Sequence, residues 1–291
     1  MARPKSVGST LMFLWFSIAV VIAAMVLAGG AMAFAAHRAP EGSRSDRTPT
    51  NLYAVTAGAM SLLVAFTFSA AFTQYTNVQA AMHSEAASLA GMYRASKFME
   101  QPLRTEIQSQ IRCYIHGVDS MEWRQMAAAE TVAPGNEVEA ALMKMDDLLA
   151  TPAGQQQAGV GLDMFETATS ARATSRQTRL AAATWSVPPI VYIMILIGSI
   201  ITIGSLFMYA DRAKPKWGNA LVVIGPVFVL VAAFLVTWFF DHPFVNAPGA
   251  LTTAPYLTTL DYIEYDLAQQ GPLPVLDCQP AAMPQSALKH A

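Results

Sequence analysis

LYAVTAGAMSLLVAFTFSAAFTQY, residues 52–75, decides the fold, because these 24 consecutive residues include no Asp, Glu, Lys, Arg or His. About 20 predominantly apolar residues suffice to carry a helix across the hydrocarbon core of a bilayer, so the stretch is a membrane span. Three further stretches meet the same criterion: residues 11–36, 185–210 and 217–240. The first follows Arg3 and Lys5 and contains the small residues Ala31 and Ala33 near its end, as a signal peptide does. Its apolar run is much longer than the 7–15 residues of a signal core, which makes it a span. Tyr75, Trp185, Tyr209, Trp217 and Trp238 stand at span edges, where a ring with one wet and one apolar side suits the headgroup zone.

The expected fold class is therefore all-α: a polytopic membrane protein with four transmembrane helices in two pairs. Residues 1–75 hold the first pair and 184–240 the second, with a helical extramembrane domain at 76–183 and a Pro-rich extramembrane tail at 241–291. Composition agrees. The chain is 54% apolar and 13% charged, far from the quarter of charged residues usual in soluble domains. A net charge of −2 without Lys/Arg-rich runs excludes a nucleic-acid partner, which needs a basic surface to displace counterions. The lipid bilayer is the first partner the sequence implies. Copies of the chain or other membrane subunits are the second.

The central domain carries helical periodicity. Leu103, Ile107, Ile111, Tyr114, Val118 and Met121 recur at three and four residues after Pro102, which suits the first turn of a helix. A second helix is predicted from about Asn136 to Leu149, with Val138, Leu142, Met145 and Leu149 on one face. A third is predicted from Leu162 into the third span. Between Tyr75 and Phe98 there is no Pro and one Gly, Gly91, so the second span is expected to continue beyond the membrane as one long helix.

Catalytic and metal-binding patterns are absent. The five histidines, at 37, 83, 116, 242 and 290, lie outside the spans, which excludes bis-histidine haem ligation within the bilayer. Asp241 and His242 supply two ligand types with no third nearby, so they read as a span cap and not as a metal site. Cys113 and Cys278 match no CxxC or zinc spacing, and no GxSxG motif occurs. No enzyme, metal or cofactor is expected.

The second span offers two stripes. Thr56, Met60, Leu63, Thr67 and Gln74 fall on one face, and Ser61, Ala65, Phe68 and Phe72 on another about a third of a turn away. Either stripe could line a narrow conduit. Small and hydroxyl residues are also the usual packing material between membrane helices.

Asn51, Glu85-Ala86 with Leu89, Tyr93-Arg94, Arg104, Tyr114, Glu122-Trp123, Arg179-Leu180, Pro188-Pro189 and Asp241-His242-Pro243-Phe244 together resemble the bacterial bestrophin-like family over roughly residues 50–260. The ordered set at matching span positions carries the resemblance. That family is distantly similar to bestrophins, pentameric anion channels with four spans per subunit and an aromatic-bearing second helix lining the pore. By that resemblance Ser61, Phe68 and Phe72 would line the pore. The chain shows no acidic cluster comparable to the calcium clasp of animal bestrophins, so calcium gating is not expected.

Two functions follow as expectations: an oligomeric anion channel of bestrophin-like type, or a non-catalytic scaffold or accessory subunit of a larger membrane complex. Arg172, Arg176 and Arg179 recur at four and three residues and form a ladder on one helix face. Glu85 or Glu122 is expected to bond to one of them as a structural clamp. For topology, Arg38, Arg44 and Arg47 between spans one and two, and Arg212, Lys214 and Lys216 between spans three and four, mark both short loops as cytoplasmic. Both termini and the central domain then lie outside a bacterial inner membrane, whereas the bestrophin resemblance implies a cytosolic domain. Four spans put Cys113 and Cys278 on one side. On an oxidising side they can form a disulfide; the alternative is two free thiols.

Overall fold

The structure, a computed structural model, describes residues 7–38, 50–128, 136–183, 187–207, 216–272, 276 and 278. Among these, every regular element is helical. Helix α2, Thr50–Ser96, is 47 residues long, or about 70 Å at 1.5 Å per residue. No proline interrupts it, which is why the apolar span and the more polar residues after Tyr75 form one element. Four helices have the length and apolarity to cross a membrane, at Trp15–Ala35, within Ala54–Ser96, at Pro189–Leu206 and at Ala220–Asp241. Arg3, Lys5, Arg44, Arg47, Trp185, Tyr209, Arg212 and Lys214, used above for span edges and loop charge, lie outside the described residues.

The chain divides into two units. The first comprises residues 1–75 and 185–250, with α1 (Val7–Arg38), the first half of α2, α8 (Pro189–Leu206) and α9 (Lys216–Asp241). Met32 of α1, Leu206 of α8, and Val223 and Val227 of α9 form its buried core. Helix α2 approaches α8 where Gly198 has no side chain: a Cβ there would stand 2.0 Å from Met60 Sδ. Outward, the polarity of a soluble protein is inverted. Trp15, Leu27, Phe66, Ile200 and Val229 are all more than half exposed, a surface that needs lipid or another apolar partner. Asp241 ties the end of α9 to the start of α8, accepting from the Val187 N–H and the Tyr192 hydroxyl, each at 2.9 Å.

The second unit comprises residues 76–184 and 251–291. It holds the second half of α2, then α3 (Leu103–Gly117), a π-helical turn at Val118–Glu122, α4 (Trp123–Ala127), α5 (Glu137–Ala150), α6 (Pro152–Ala158), α7 (Gly161–Ala181) and α10 (Ala254–Ala268). Local chemistry sets these boundaries. Asn136 caps α5 by accepting from the Glu139 N–H, and Glu137 and Glu139 sit in its first turn, where the helix dipole favours negative charge. Thr151 caps α6 ahead of Pro152. Gly161 lets α7 begin against α2, since a Cβ there would stand 2.8 Å from the Ala95 carbonyl oxygen.

Two expectations need correction. Helix α7 does not run into the third span; it stops at Ala181, and α8 starts separately at Pro189. The Pro188-Pro189 pair is the reason, because a residue preceding proline is driven out of the α region; Pro188 itself is extended at φ −56°, ψ 138°. Nor does the region after Phe240 form a separate tail. Residues up to 250 go with the first unit, and α10 inserts Tyr256, Leu260, Ile263 and Leu267 into the core of the second.

Candidate functional site

On α2, the two predicted stripes differ in burial. Thr67 is buried and donates its hydroxyl to the Leu63 carbonyl at 2.8 Å, while Thr56 and Gln74 are half-buried and Met60 is buried nearby. This face packs within the first unit. Ser61, Phe68 and Phe72 remain exposed, the two rings at 37% and 44%. Phe68 and Phe72 stack with centroids 6.1 Å apart and meet the edge of Phe240 of α9 at 5.7 and 5.2 Å. Their positions are thus fixed by ring contacts on one side and open on the other. The Ser61 hydroxyl is returned to the Gly58 carbonyl at 2.8 Å, so the serine presents little free polarity.

In the second unit, α2, α3, α7, α10 and the π-helical turn deliver ionic and tyrosine side chains to one buried point. Glu85 (α2), Glu122 (the π-helical turn) and Arg179 (α7) are fully buried. Arg179 Nε donates to Glu85 Oε2 at 2.8 Å and its Nη2 to Glu85 Oε1 at 3.0 Å, a bidentate pair, and Nη2 also reaches Glu122 Oε2 at 2.8 Å. Arg176 Nη2 donates to Glu122 Oε1 at 2.5 Å and lies 3.8 Å from Glu139. Two tyrosines complete Glu85: the Tyr114 hydroxyl donates to Oε1 at 2.5 Å and the Tyr256 hydroxyl to Oε2 at 2.8 Å. Asn136 Nδ2 donates to Glu122 Oε1 at 3.3 Å, so one side chain caps α5 and closes this cluster.

Protonation follows from these contacts. Burial opposes the Glu122 charge, but Arg179 and Arg176 outweigh it and hold the carboxyl below its ordinary value. Burial, with Glu85 beside it, raises Tyr114; burial raises Tyr256 as well, against the pull of Arg179. Both tyrosines stay neutral donors. The two carboxylates and two guanidiniums are balanced in charge, and all four carboxylate oxygens accept at least one hydrogen bond, an arrangement suited to fixing helices. Among the described residues no His, Cys, Asp and Glu group is arranged to hold a metal ion.

Arg172, the third rung of the predicted ladder, reaches neither carboxylate; its guanidinium lies 5.3 Å from the centre of the Tyr114 ring. Around the cluster, α10 is fastened by Glu264 to Arg112 at 3.0 Å, and by Asp266 to the Tyr93 hydroxyl and Lys97 Nζ, each at 2.6 Å. Cys278 is disulfide-bonded to Cys113 of α3, with Cα atoms 5.3 Å apart. Sequence reasoning did not select Tyr256, although Tyr256, Leu260, Ile263 and Leu267 carry a helical spacing that marks it as inward-facing.

Comparison with curated proteins returns no significant match. Among solved structures, a bacterial bestrophin homologue from Klebsiella pneumoniae is similar over 87% of this chain and 100% of its own, with a TM-score of 0.62 and 12% identity. A single-substitution variant of that homologue is similar over 85% and 98%, with the same score and identity. At this identity the likeness is one of fold. The sequence itself matches the profile of the Bestrophin-like domain over residues 12–247. By this match across most of its length, the chain belongs to the bestrophin-like domain family.

Proposed function

We propose that the protein is a subunit of an oligomeric channel that passes anions across a bacterial inner membrane. The observation that carries this reading is the division of α2 into a packed face, Thr56, Thr67 and Gln74, and an open face with Ser61, Phe68 and Phe72 anchored on Phe240. Bestrophins, whose homologue shares this fold, are anion channels. In this reading the open face lines the axis and the packed face holds α2 against the other spans. Phe68 and Phe72 form an apolar constriction that ions cross by brief dehydration. No span carries an Asp, Glu, Lys, Arg or His over residues 52–75 or 217–240, which argues against a proton-coupled carrier.

The test is flux through the purified protein in liposomes under a chloride gradient. We expect an anion-selective flux that increases when Phe72 is replaced by Ala. Absence of flux from a homogeneous oligomer overturns the proposal, and stoichiometric co-purification with other membrane proteins favours an accessory subunit instead.

We further infer that both termini and residues 76–183 lie on the periplasmic side. Positive charge in the two short loops supports this orientation, as does a disulfide in the second unit, since disulfides persist in oxidising compartments. In intact cells, a membrane-impermeant maleimide should label Cys113 or Cys278 after treatment with an impermeant reductant. Labelling that requires lysis overturns the orientation.

A further inference from the structure

The buried and half-buried arginines around the ionic cluster of the second unit can be matched with carboxylates one by one. Arg112 pairs with Glu264, Arg176 with Glu122 and Arg179 with Glu85. Arg172 is left over. It is 6% exposed, yet among the described residues it has neither an ion pair nor a hydrogen bond, and its Nε is buried without a partner. The ring beneath it cannot neutralise it, because Tyr114 is held protonated by burial. An arginine cannot shed its proton in a protein, and a buried cation without a counter-charge is costly.

A second observation lies on the same helix. Thr167, Thr174 and Thr178 of α7 each return the hydroxyl to the carbonyl four residues earlier, at 2.9, 3.2 and 3.1 Å. Thr169 does not; its Oγ1 is buried without a partner. Arg176 spends its Nη2 on Glu122 and leaves Nε without a partner. Positions 169, 172 and 176 are three and four residues apart and therefore share a face, with neighbouring Cβ atoms about 5–6 Å apart. This stripe holds three donors without acceptors and one uncompensated positive charge.

We propose that this stripe of α7 binds a small monovalent anion of the halide or nitrate type, with Arg172 supplying the charge and Thr169 and Arg176 supplying further donors. A single negative charge matches the single surplus cation, whereas a divalent oxyanion exceeds it. The half-buried Thr169 and Arg176 keep the edge of the stripe open to entry from water. The site belongs to the second unit alone and does not depend on whether the spans conduct.

The experiment is a thermal melt of the full-length protein in lipid nanodiscs, titrated with sodium chloride, bromide or nitrate against sodium gluconate at constant ionic strength. The midpoint should rise saturably by about 3 °C or more. Arg172→Met should abolish the dependence, and Thr169→Val should weaken the apparent affinity roughly 2- to 10-fold, the loss of one hydrogen bond. Equal midpoints in chloride and gluconate overturn the proposal, as does a rise that never saturates, which is the signature of salt excluded from the surface. Undiminished chloride dependence in Arg172→Met also overturns it. If that variant does not fold, an unchanged titration of Thr169→Val does so.

Discussion

Replacing Arg179 with Met preserves most of the side-chain volume and removes the charge. Three charge-assisted hydrogen bonds disappear. The two carboxylates are affected unequally. Glu122 keeps Arg176 and Asn136, while Glu85 keeps two tyrosine donors but loses the guanidinium that compensates its charge. Breaking a buried pair by removing one partner costs about 3–5 kcal/mol, and for a unit of this size each kcal/mol lowers the melting midpoint by about 2–4 °C. Arg179→Met should therefore lower the midpoint of the second unit by about 6–20 °C, read by near-ultraviolet circular dichroism. Adding Glu85→Gln removes the stranded charge and should restore a large part of the loss. Arg179→Lys should fall between, because an ammonium cannot engage both Glu85 oxygens in a fork. A midpoint for Arg179→Met within about 2 °C of the parent, the equivalent of about 1 kcal/mol or less, would refute the clamp.

Other consequences can be measured directly. Glu122 titrates below 4.5 in the folded protein, so its stabilisation is present above pH 4.5 and lost as pH falls through its depressed value; Tyr114 and Tyr256, raised above 10.0, withdraw stability as pH rises beyond 10. The second unit should be most stable between these limits, and a midpoint that is flat from pH 3 to 11 would contradict the assignment. The disulfide closes a loop of 165 residues, and Cys278→Ser should destabilise the unit by about 2–5 kcal/mol in denaturant titrations, an effect reproduced by reductant and absent if the thiols are free. In the first unit, Gly198→Ala pushes a methyl against Met60 and should cost up to about 1–3 kcal/mol, with relief from Met60→Ala; equal melting of parent and variant would show that the flexible Met60 side chain yields the space without cost.

The spans were legible because hydrophobic length is a local property that tertiary context cannot override in a bilayer. The length of α2 was legible for a related reason: between Tyr75 and Phe98 nothing in the sequence stops a helix. The break between α7 and α8 required weighting Pro188 and Pro189 above the periodicity on either side. Helix α10 was obscured by its surroundings. Pro248, Pro255, Pro272 and Pro274 make the region read as an extended tail, yet Pro255 sits in the first turn of a helix, where its missing N–H costs nothing. The residues after it repeat at four, three and four, and that repeat carried more information than the proline content.

Within the ionic cluster, the ladder of Arg172, Arg176 and Arg179 could be read from spacing, but the partner of each rung could not. Spacing fixes the face of a helix a residue occupies; it does not fix how far along the axis the opposing charges stand. Arg172 and Arg179 lie seven residues apart on α7, about 10 Å along the axis, more than one carboxylate can bridge. Glu85 and Glu122 stand level with Arg176 and Arg179, so these two are neutralised and Arg172, a full turn short, meets the face of Tyr114. The Tyr114 hydroxyl is committed to Glu85, which aims the ring, and not an oxygen, at Arg172. The surplus cation thus arises from axial register. Replacing Arg172 with Gln removes the surplus charge and leaves Arg176 and Arg179 at their own levels on α7, which separates register from composition. Arg172→Gln should leave the clamp intact, because none of the clamp's hydrogen bonds involves that side chain, and should keep the pH window set by Glu122. A loss of that window in Arg172→Gln would mean that all three rungs act as one charged unit.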